Sequence, residues 1–421
     1  IGAGYVGLPL AIAFSKFKKV FCFDINKSRI SELQRGIDRN KQHSKEELSN
    51  KLLNFSYQEN EIKNKEIYII TVPTPINKNK HPDLSMLKEA TQLVGKALKK
   101  NSIVIYESTT FPGCTEEVCI PLLEKVSNLK FKKDFTVGYS PERVNPGDKI
   151  NTLNNITKII SASDNKTLRE MKKLYHKICK STYVADSIIV AESAKVIENT
   201  QRDINIAFVN ELSVLFNKLK IPTNEVLKAA STKWNFHYYK PGLVGGHCIS
   251  VDPYYLSYKA KRNKYLPELI LSGRRFNENM GKYVVKQIIN LLSINNVNLK
   301  KAQIGILGFS FKENIPDIRN TKIIQIVKEL KKYNIRIKVF DSIVSSRDVN
   351  KVYKLKILKF KDLGKFKYDA IVMSVSHDMF KKNISYYNKY YKNKKKKIFI
   401  DLKNNYSMYD LKKNKFIFFQ L

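Results

Sequence analysis

Cys248 stands in the run Gly245-Gly246-His247-Cys248-Ile249-Ser250-Val251-Asp252-Pro253. Two glycines allow a backbone to come close to a ligand, and a cysteine follows at that point. As a thiolate it is a strong nucleophile, and Asp252, four residues on, is near enough in sequence to orient a water or shape the thiol's surroundings. The same run also suits a small cysteine buried beside a glycine turn. A second pattern favours chemistry: Gly2-Ala3-Gly4-Tyr5-Val6-Gly7, a GxGxxG of the kind that cradles phosphates. A nucleophilic thiol combined with such a turn suggests hydride transfer to a nicotinamide cofactor, with the half-oxidised product held on sulfur.

The context of the glycine pattern fits a dinucleotide site. It follows a strand remnant and opens an apolar helix, Leu8 to Phe17, and Asp24 ends the next strand. The glycines permit a tight turn and the approach of a pyrophosphate to a helix N-terminus. A carboxylate at Asp24 would bind a ribose hydroxyl and repel a 2′-phosphate, which predicts NAD rather than NADP, with Arg29 nearby pulling the other way. Val72-Pro73-Thr74-Pro75 and Glu107-Ser108-Thr109-Thr110 each end a predicted strand, at the sheet edge where ligands lie in open α/β folds.

Lys195 and Asn199 are four apart and share one face of a predicted helix. A lysine there could stabilise an oxyanion with Asn199 as second donor, or could snorkel at the helix surface. Ser140-Pro141-Glu142-Arg143-Val144 sets a carboxylate at another strand end, as a general base or as a solvated turn acid.

These groups need a scaffold, and the apolar pattern supplies one. Short strands are predicted at Val20 to Asp24, Glu66 to Val72, Ser102 to Glu107 and Asp134 to Tyr139, with helices between, for example Leu84 to Leu98. Val190 to Leu219 carries a helical period without Gly or Pro, a helix of about 30 residues spanning about 45 Å. After Lys300 the strand–helix rhythm returns, with strands at Gln303 to Gly308, Ile335 to Asp341, Ala370 to Ser376 and Lys397 to Leu402 and a helix at Thr321 to Lys332. The expectation is an α/β protein of two Rossmann-like, doubly wound domains joined by a helical domain with one long central helix. Its parts are 1–186 for NAD, 187–299 carrying the Cys248 loop, and 300–421 for the UDP-sugar that the resemblance below implies.

With 421 residues, two or three domains are expected. Five cysteines without CxxC pairing argue for reduced thiols in a cytoplasm-like compartment and against a zinc site. No apolar run reaches the roughly 20 residues of a membrane span. The net charge of +38 is mostly lysine spread along the chain, so nucleic acid is not the expected partner; the dense run Lys394 to Lys397 suggests a solvated face. A polyanionic substrate suits the surplus as well.

The segments GAGYVGLPLA, VPTP, YESTTFPG, GYSPERVNPGDK, AKVIENTQRDIN, PGLVGGHCISVDPYYL and GFSFKENIPDIRNT occur in this order over residues 1 to 345. The series resembles the UDP-glucose/GDP-mannose dehydrogenase family of nucleotide-sugar 6-dehydrogenases, and within it the UDP-N-acetylhexosamine enzymes of Vi-antigen and O-antigen type. Pro146 stands where the UDP-glucose enzymes carry a second acid. The resemblance implies a four-electron oxidation of a C6 alcohol to a carboxylate with two NAD⁺, for surface polysaccharide synthesis. It implies Cys248 as nucleophile, Lys195 and Asn199 as oxyanion donors, Asp252 and Thr109 as water-orienting groups and Glu142 as acid–base. Cofactor contacts implied are Gly2, Ala3, Gly4, Tyr5, Val6, Gly7, Asp24, Arg29, Val72, Pro73, Thr74, Ser108, Thr109 and Arg319. Substrate contacts implied are Glu142, Arg143, Val144, Lys195, Asn199, Tyr239, Lys240, Gly242, Gly245, Phe311 and Lys312. A homodimer built on the long helix is the expected assembly. UDP-glucose, UDP-ManNAc and GDP-mannose remain alternative substrates, and a catalytically dead binding protein is set against by the presence of Cys248, Lys195 and Asp252.

Overall fold

A computed structural model describes residues 1–40, 42–144, 148 and 150–421. Pro146 therefore lies outside the described residues. The chain divides into two compact units, Ile1–Asn199 with Val251–Leu266, and Thr200–Ser250 with Pro267–Leu421.

In the first unit, strands β1 (Val20–Phe23) and β2 (Leu53–Ser56) pair in parallel as a two-stranded sheet. A five-stranded sheet follows in the order β3 (Ile67–Ile70), β4 (Ser102–Tyr106), β5 (Phe135–Tyr139), β6 (Thr157–Ala162) and β7 (Ser181–Val184). Its pairings are parallel except β5 with β6. Ile1 and Gly2 link the two sheets: the Ile1 amine donates to Ile69 O, Thr71 N donates to Ile1 O, and Gly2 N donates to Phe23 O. Beside these two residues a cavity of about 370 Å3 runs between the sheet edges, lined by Leu10, Phe14, Phe21, Ile67 and Ile69 among others. The strands are short and β-branched or aromatic, with buried faces such as Val104, Ile105 and Tyr106, and turns close them on the helical layers.

In the second unit one all-parallel sheet has the order β10 (Ile357–Leu358), β9 (Arg336–Phe340), β8 (Gln303–Leu307), β11 (Ala370–Met373), β12 (Lys397–Asp401) and β13 (Phe416–Gln420). The chain runs outward from β8 in one direction, then returns to add β11 on its other side. That reversal makes the C-terminal end of β8 a topological switch point, where doubly wound sheets hold ligands. The apolar run of Ile304, Ile306, Ala370, Val372, Ile398 and Ile400 is buried, as a parallel strand covered on both faces requires.

The long helix spans Ile188–Leu219, 32 residues, as its uninterrupted period predicts. Five strands went unanticipated, β2, β6, β7, β10 and β13, and the helices Thr223–Ala230, Asp252–Arg262 and Glu268–Ile294 were not placed individually either. The expectation of a solvated face at Lys394 to Lys397 fails at its last member. Lys397 begins β12 with 8% of its surface exposed, and its ammonium donates to Asn388 Oδ1 and to Asn414 O. Backbone and amide oxygens satisfy it, and burial pushes its pKa below the usual lysine value.

Candidate functional site

The glycine turn is shaped by contacts that leave no room for side chains. Gly2 has φ of +101°, and a Cβ on Gly7 would lie 1.8 Å from Gly2 O. Gly4, by contrast, has nothing within 4 Å of a Cβ position, so the turn opens outward there. The helix Gly7–Ser15 that follows has no side-chain cap among the described residues; Leu8 N donates to Gly4 O and Pro9 carries no N–H, so the helix end favours an anion through its dipole. Asp24, directly after β1, is half-exposed, with Oδ2 accepting from Ala3 N at 2.8 Å and Oδ1 from Asn26 N at 2.8 Å. A carboxylate fixed in this way, at the expected distance from the turn, fits a dinucleotide's ribose. Arg29 does not offset it: the side chain is 5% exposed, bonds Ala3 O through Nε at 3.1 Å and pairs with Asp38 at 2.8 Å. Its charge is spent behind the turn, and Asp38 is held below the usual carboxylate range against the cost of burial by backbone donors and by Arg29.

Beside the turn, the strand-end segments are laced together. Ser108 Oγ donates to Val72 O at 2.8 Å, and Thr74 Oγ1 donates to Thr109 O at 2.6 Å. Tyr255 donates to Thr74 O, joining Pro73's loop to the helix Asp252–Arg262. Glu142 caps its own turn, its Oε1 accepting from Arg143 N at 2.6 Å and Val144 N at 2.5 Å. Arg143 bonds Thr157 O at 2.8 Å and pairs with Glu198 on the long helix at 2.8 Å.

The long helix presents Lys195 and Asn199 inward, 8% and 6% exposed, which removes the snorkelling reading. Asn199 donates to Asp252 Oδ2 at 2.6 Å. Burial pushes the Asp252 carboxyl up to about 6, opposed by the charge of Lys195 and the Asn199 bond. One turn earlier on the same face, Glu192 is fully buried and accepts from Thr110 Oγ1 at 3.0 Å, Thr115 N at 2.9 Å, Thr115 Oγ1 at 2.6 Å and Gly113 N. It fastens the loop that carries Thr109 to the helix that carries Lys195. Sequence reasoning passed over Glu192; its signal was the spacing to Lys195, three residues on.

In the second unit Cys248 is half-buried on a turn held from below. Gly246 has φ of +84°, and a Cβ there would meet the Phe311 ring at 2.8 Å. Asn320 Nδ2 and Ser250 Oγ donate to Gly246 O at 3.0 and 2.6 Å. A Cβ on Gly245 would lie 2.8 Å from Asn320 O. The His247 ring meets Phe311 edge-on at 5.8 Å and contacts Arg319 Nη2 at 3.3 Å, while Arg319 also pairs with Asp317. Phe311 and Lys312 lie in the loop after β8, at the switch point. Gly242 N donates to Asn210 Oδ1 at 2.8 Å and Asn210 Nδ2 donates to Gly242 O at 3.0 Å; Tyr239, half-buried, and Lys240, exposed, precede it.

The loop after β8 repeats the geometry of the opening glycine turn. Gly308 has φ of +91°, and its N donates to Phe340 O at 2.8 Å as Gly2 N does to Phe23 O. Phe309 N donates to Asp341 Oδ2 at 2.8 Å, as Ala3 N does to Asp24. Asp341, however, is saturated: it also accepts from Ser310, Ile343 and Val344 N and lies 3.0 Å from His377. Asp24 keeps exposed surface for a ribose; Asp341 does not.

Three family models match along the chain: the NAD binding domain of the UDP-glucose/GDP-mannose dehydrogenase family over residues 1–179, its central domain over 189–279 and its UDP binding domain over 305–408. The UDP-N-acetyl-D-glucosamine 6-dehydrogenase of Salmonella typhi is 51% identical over 383 residues, 90% of each chain. The chain belongs to the UDP-glucose/GDP-mannose dehydrogenase family. The UDP-N-acetyl-D-glucosamine 6-dehydrogenase of Pseudomonas aeruginosa is 49% identical over 90% of each chain. The solved structure of the UDP-D-ManNAc dehydrogenase from Pyrococcus horikoshii superposes with a TM-score of 0.89 at 30% identity, covering 100% of this chain and 97% of that one. The protein is thus an NAD-dependent nucleotide-sugar dehydrogenase, and its two glycine turns divide between a domain for NAD and one for UDP. No helix among the described residues is long and apolar enough to cross a membrane.

Proposed function

We propose that this member of the family oxidises C6 of a UDP-N-acetylhexosamine, UDP-GlcNAc or UDP-GalNAc, to the uronate, with Cys248 as covalent nucleophile. The observation that carries this is the buried Lys195 and Asn199 on one face of the long helix, with Asn199 bonded to the buried Asp252 of a second helix, a cation and an amide donor of the kind that stabilises developing negative charge on oxygen. NAD⁺ bound on the opening glycine turn would accept one hydride at each of the two oxidations, so two NAD⁺ are used per sugar. Cys248 Sγ forms a bond to C6 of the aldehyde, giving a thiohemiacetal, with Lys195 and Asn199 in the role of donors to its oxygen. After the second oxidation the adduct is a thioester. Glu142 takes a proton from water, the water oxygen bonds C6, and the C–S bond breaks with its electron pair leaving on sulfur. Asp252 and Thr109 orient that water. Covalent capture keeps the aldehyde aligned between the two oxidations.

The sugar assignment rests on the motifs SPERVNPGDK and PGLVGGHC and on the Salmonella typhi and Pseudomonas aeruginosa relatives. The three-part division 1–186, 187–299 and 300–421, a homodimer built on the long helix, a reducing cytoplasmic setting and use of the product in surface polysaccharide belong to the same reading. Exposed Phe208, Leu215 and Leu219 on the helix and five free cysteines support two of these.

The test incubates the protein with NAD⁺ and UDP-GlcNAc, UDP-GalNAc, UDP-ManNAc, UDP-glucose or GDP-mannose and counts NADH per sugar. The reading expects two NADH per N-acetylated gluco- or galacto-sugar, and none in Cys248→Ala. Turnover confined to UDP-glucose, UDP-ManNAc or GDP-mannose overturns the substrate assignment, and turnover by Cys248→Ala overturns the covalent route.

A further inference from the structure

Glu107 heads the Glu107-Ser108-Thr109-Thr110 segment, yet the mechanism above uses only its neighbours. It follows β4 directly and is 1% exposed. Lys158, on β6 and fully buried, donates to Glu107 Oε2, and the fully buried Tyr175 donates to Oε1. Lys158 also donates to Pro141 O at 3.2 Å and lies 3.9 Å from Glu142 Oε2. One buried ammonium thus faces two carboxylates and the backbone of the turn that carries Glu142. A buried ion pair costs desolvation, and an apolar pair of the same volume would hold β4 to β6 as well or better. The charged groups converge on the Glu142 turn, which gives them something to do.

We propose that Glu107 is a positioning residue that acts through Lys158 on Glu142, its charge deciding how far the ammonium is shared with the Pro141–Glu142 turn. When Glu107 is neutral, Lys158 is left to Pro141 O and to Glu142, which holds the turn in place. When Glu107 is ionised, it draws the ammonium toward β4 and the turn loses part of its anchor. The groups facing Glu107 are Lys158 from β6, Tyr175 from the helix Asn165–Tyr175, Glu142 from the turn after β5 and, at longer range, Cys179. Burial first, then the charge of Glu142, push the Glu107 carboxyl up to about 7 against Lys158 and Tyr175, so its two states exchange across neutral pH.

The proposal rests on Glu142 as the base for hydrolysis, and the experiment separates the two. Rapid-mixing kinetics with NAD⁺ and the UDP-sugar that turns over would follow NADH in wild type, Glu107→Gln, Lys158→Met and Glu142→Gln from pH 5.5 to 9. Glutamine mimics neutral Glu107 at every pH. Glu107→Gln should keep its turnover below neutral within about threefold of wild type and lose the step in turnover near pH 7. Lys158→Met should give the NADH burst of both oxidations and then hydrolyse about a hundredfold more slowly. A Glu107→Gln profile superimposing on wild type overturns the proposal, as does Lys158→Met turning over at the wild-type rate. If Lys158→Met fails to fold, the Glu107→Gln profile decides. Wild-type turnover by Glu142→Gln overturns the proposal together with the base assignment, and leaves the dehydrogenase reading standing.

Discussion

At the scale of single residues, burial sets the chemistry more than identity does. Asp252 is an ordinary carboxylate in sequence; inside the first unit, with 3% of its surface exposed, it is pushed to about 6. Because the folded value lies above the ordinary carboxyl value of 3.8, the folded state binds the extra proton between the two. Its contribution to stability is complete below about pH 4 and is lost as pH rises through about 6. Asp252→Asn should therefore remove a decline on the order of 3 kcal/mol over that window, read as melting temperature against pH. An unchanged pH slope would mean that another acid carries it. If Asp252 orients the hydrolytic water as proposed, the carboxamide should also lower turnover.

At the scale of elements, backbone conformation decides where side chains can point. Gly246 combines a positive φ with a ring 2.8 Å from any Cβ, and the adjacent His247 and Cys248 follow wherever that turn goes. Gly246→Ala should cut turnover by about a hundredfold while the melting temperature falls by only a few degrees, because the turn shifts without exposing a core. Activity near wild type would show that the loop bearing Phe311 yields instead. The long helix works differently. It offers one face on which Glu192, Lys195 and Asn199 stand at i, i+3 and i+7, so one rigid element aligns a loop clamp with two polar donors.

At the scale of the whole molecule the excess of positive charge is the dominant long-range feature. The net charge of +38 repels itself in the folded state, and a nucleoside diphosphate substrate brings the opposite sign. Raising sodium chloride from about 0.05 to 0.3 M should raise the melting temperature by about 2–4 °C through screening, and should raise KM for the UDP-sugar. A melting temperature that falls with salt would show that local ion pairs, such as Arg29 with Asp38, outweigh the global repulsion.

The sequence by itself determined the features that depend on neighbours in the chain. A GxGxxG before an apolar helix with Asp24 about a helix-and-strand further on needs only local conformation. So does an uninterrupted helical period, which placed Ile188–Leu219 to within two residues of its start. The ordered motifs likewise carried the family and its cofactor. Only the tertiary structure decided the features that depend on what lies across a sheet or behind a turn. Spacing left Lys195 between surface and interior, and packing buried it. Lys158, Glu107, Glu192 and Lys397 look like ordinary charged residues in a lysine-rich chain, and their partners are 9 to 82 positions away. A buried charge has no local signature, because the desolvation it suffers and the bonds that offset it are both supplied by other parts of the fold.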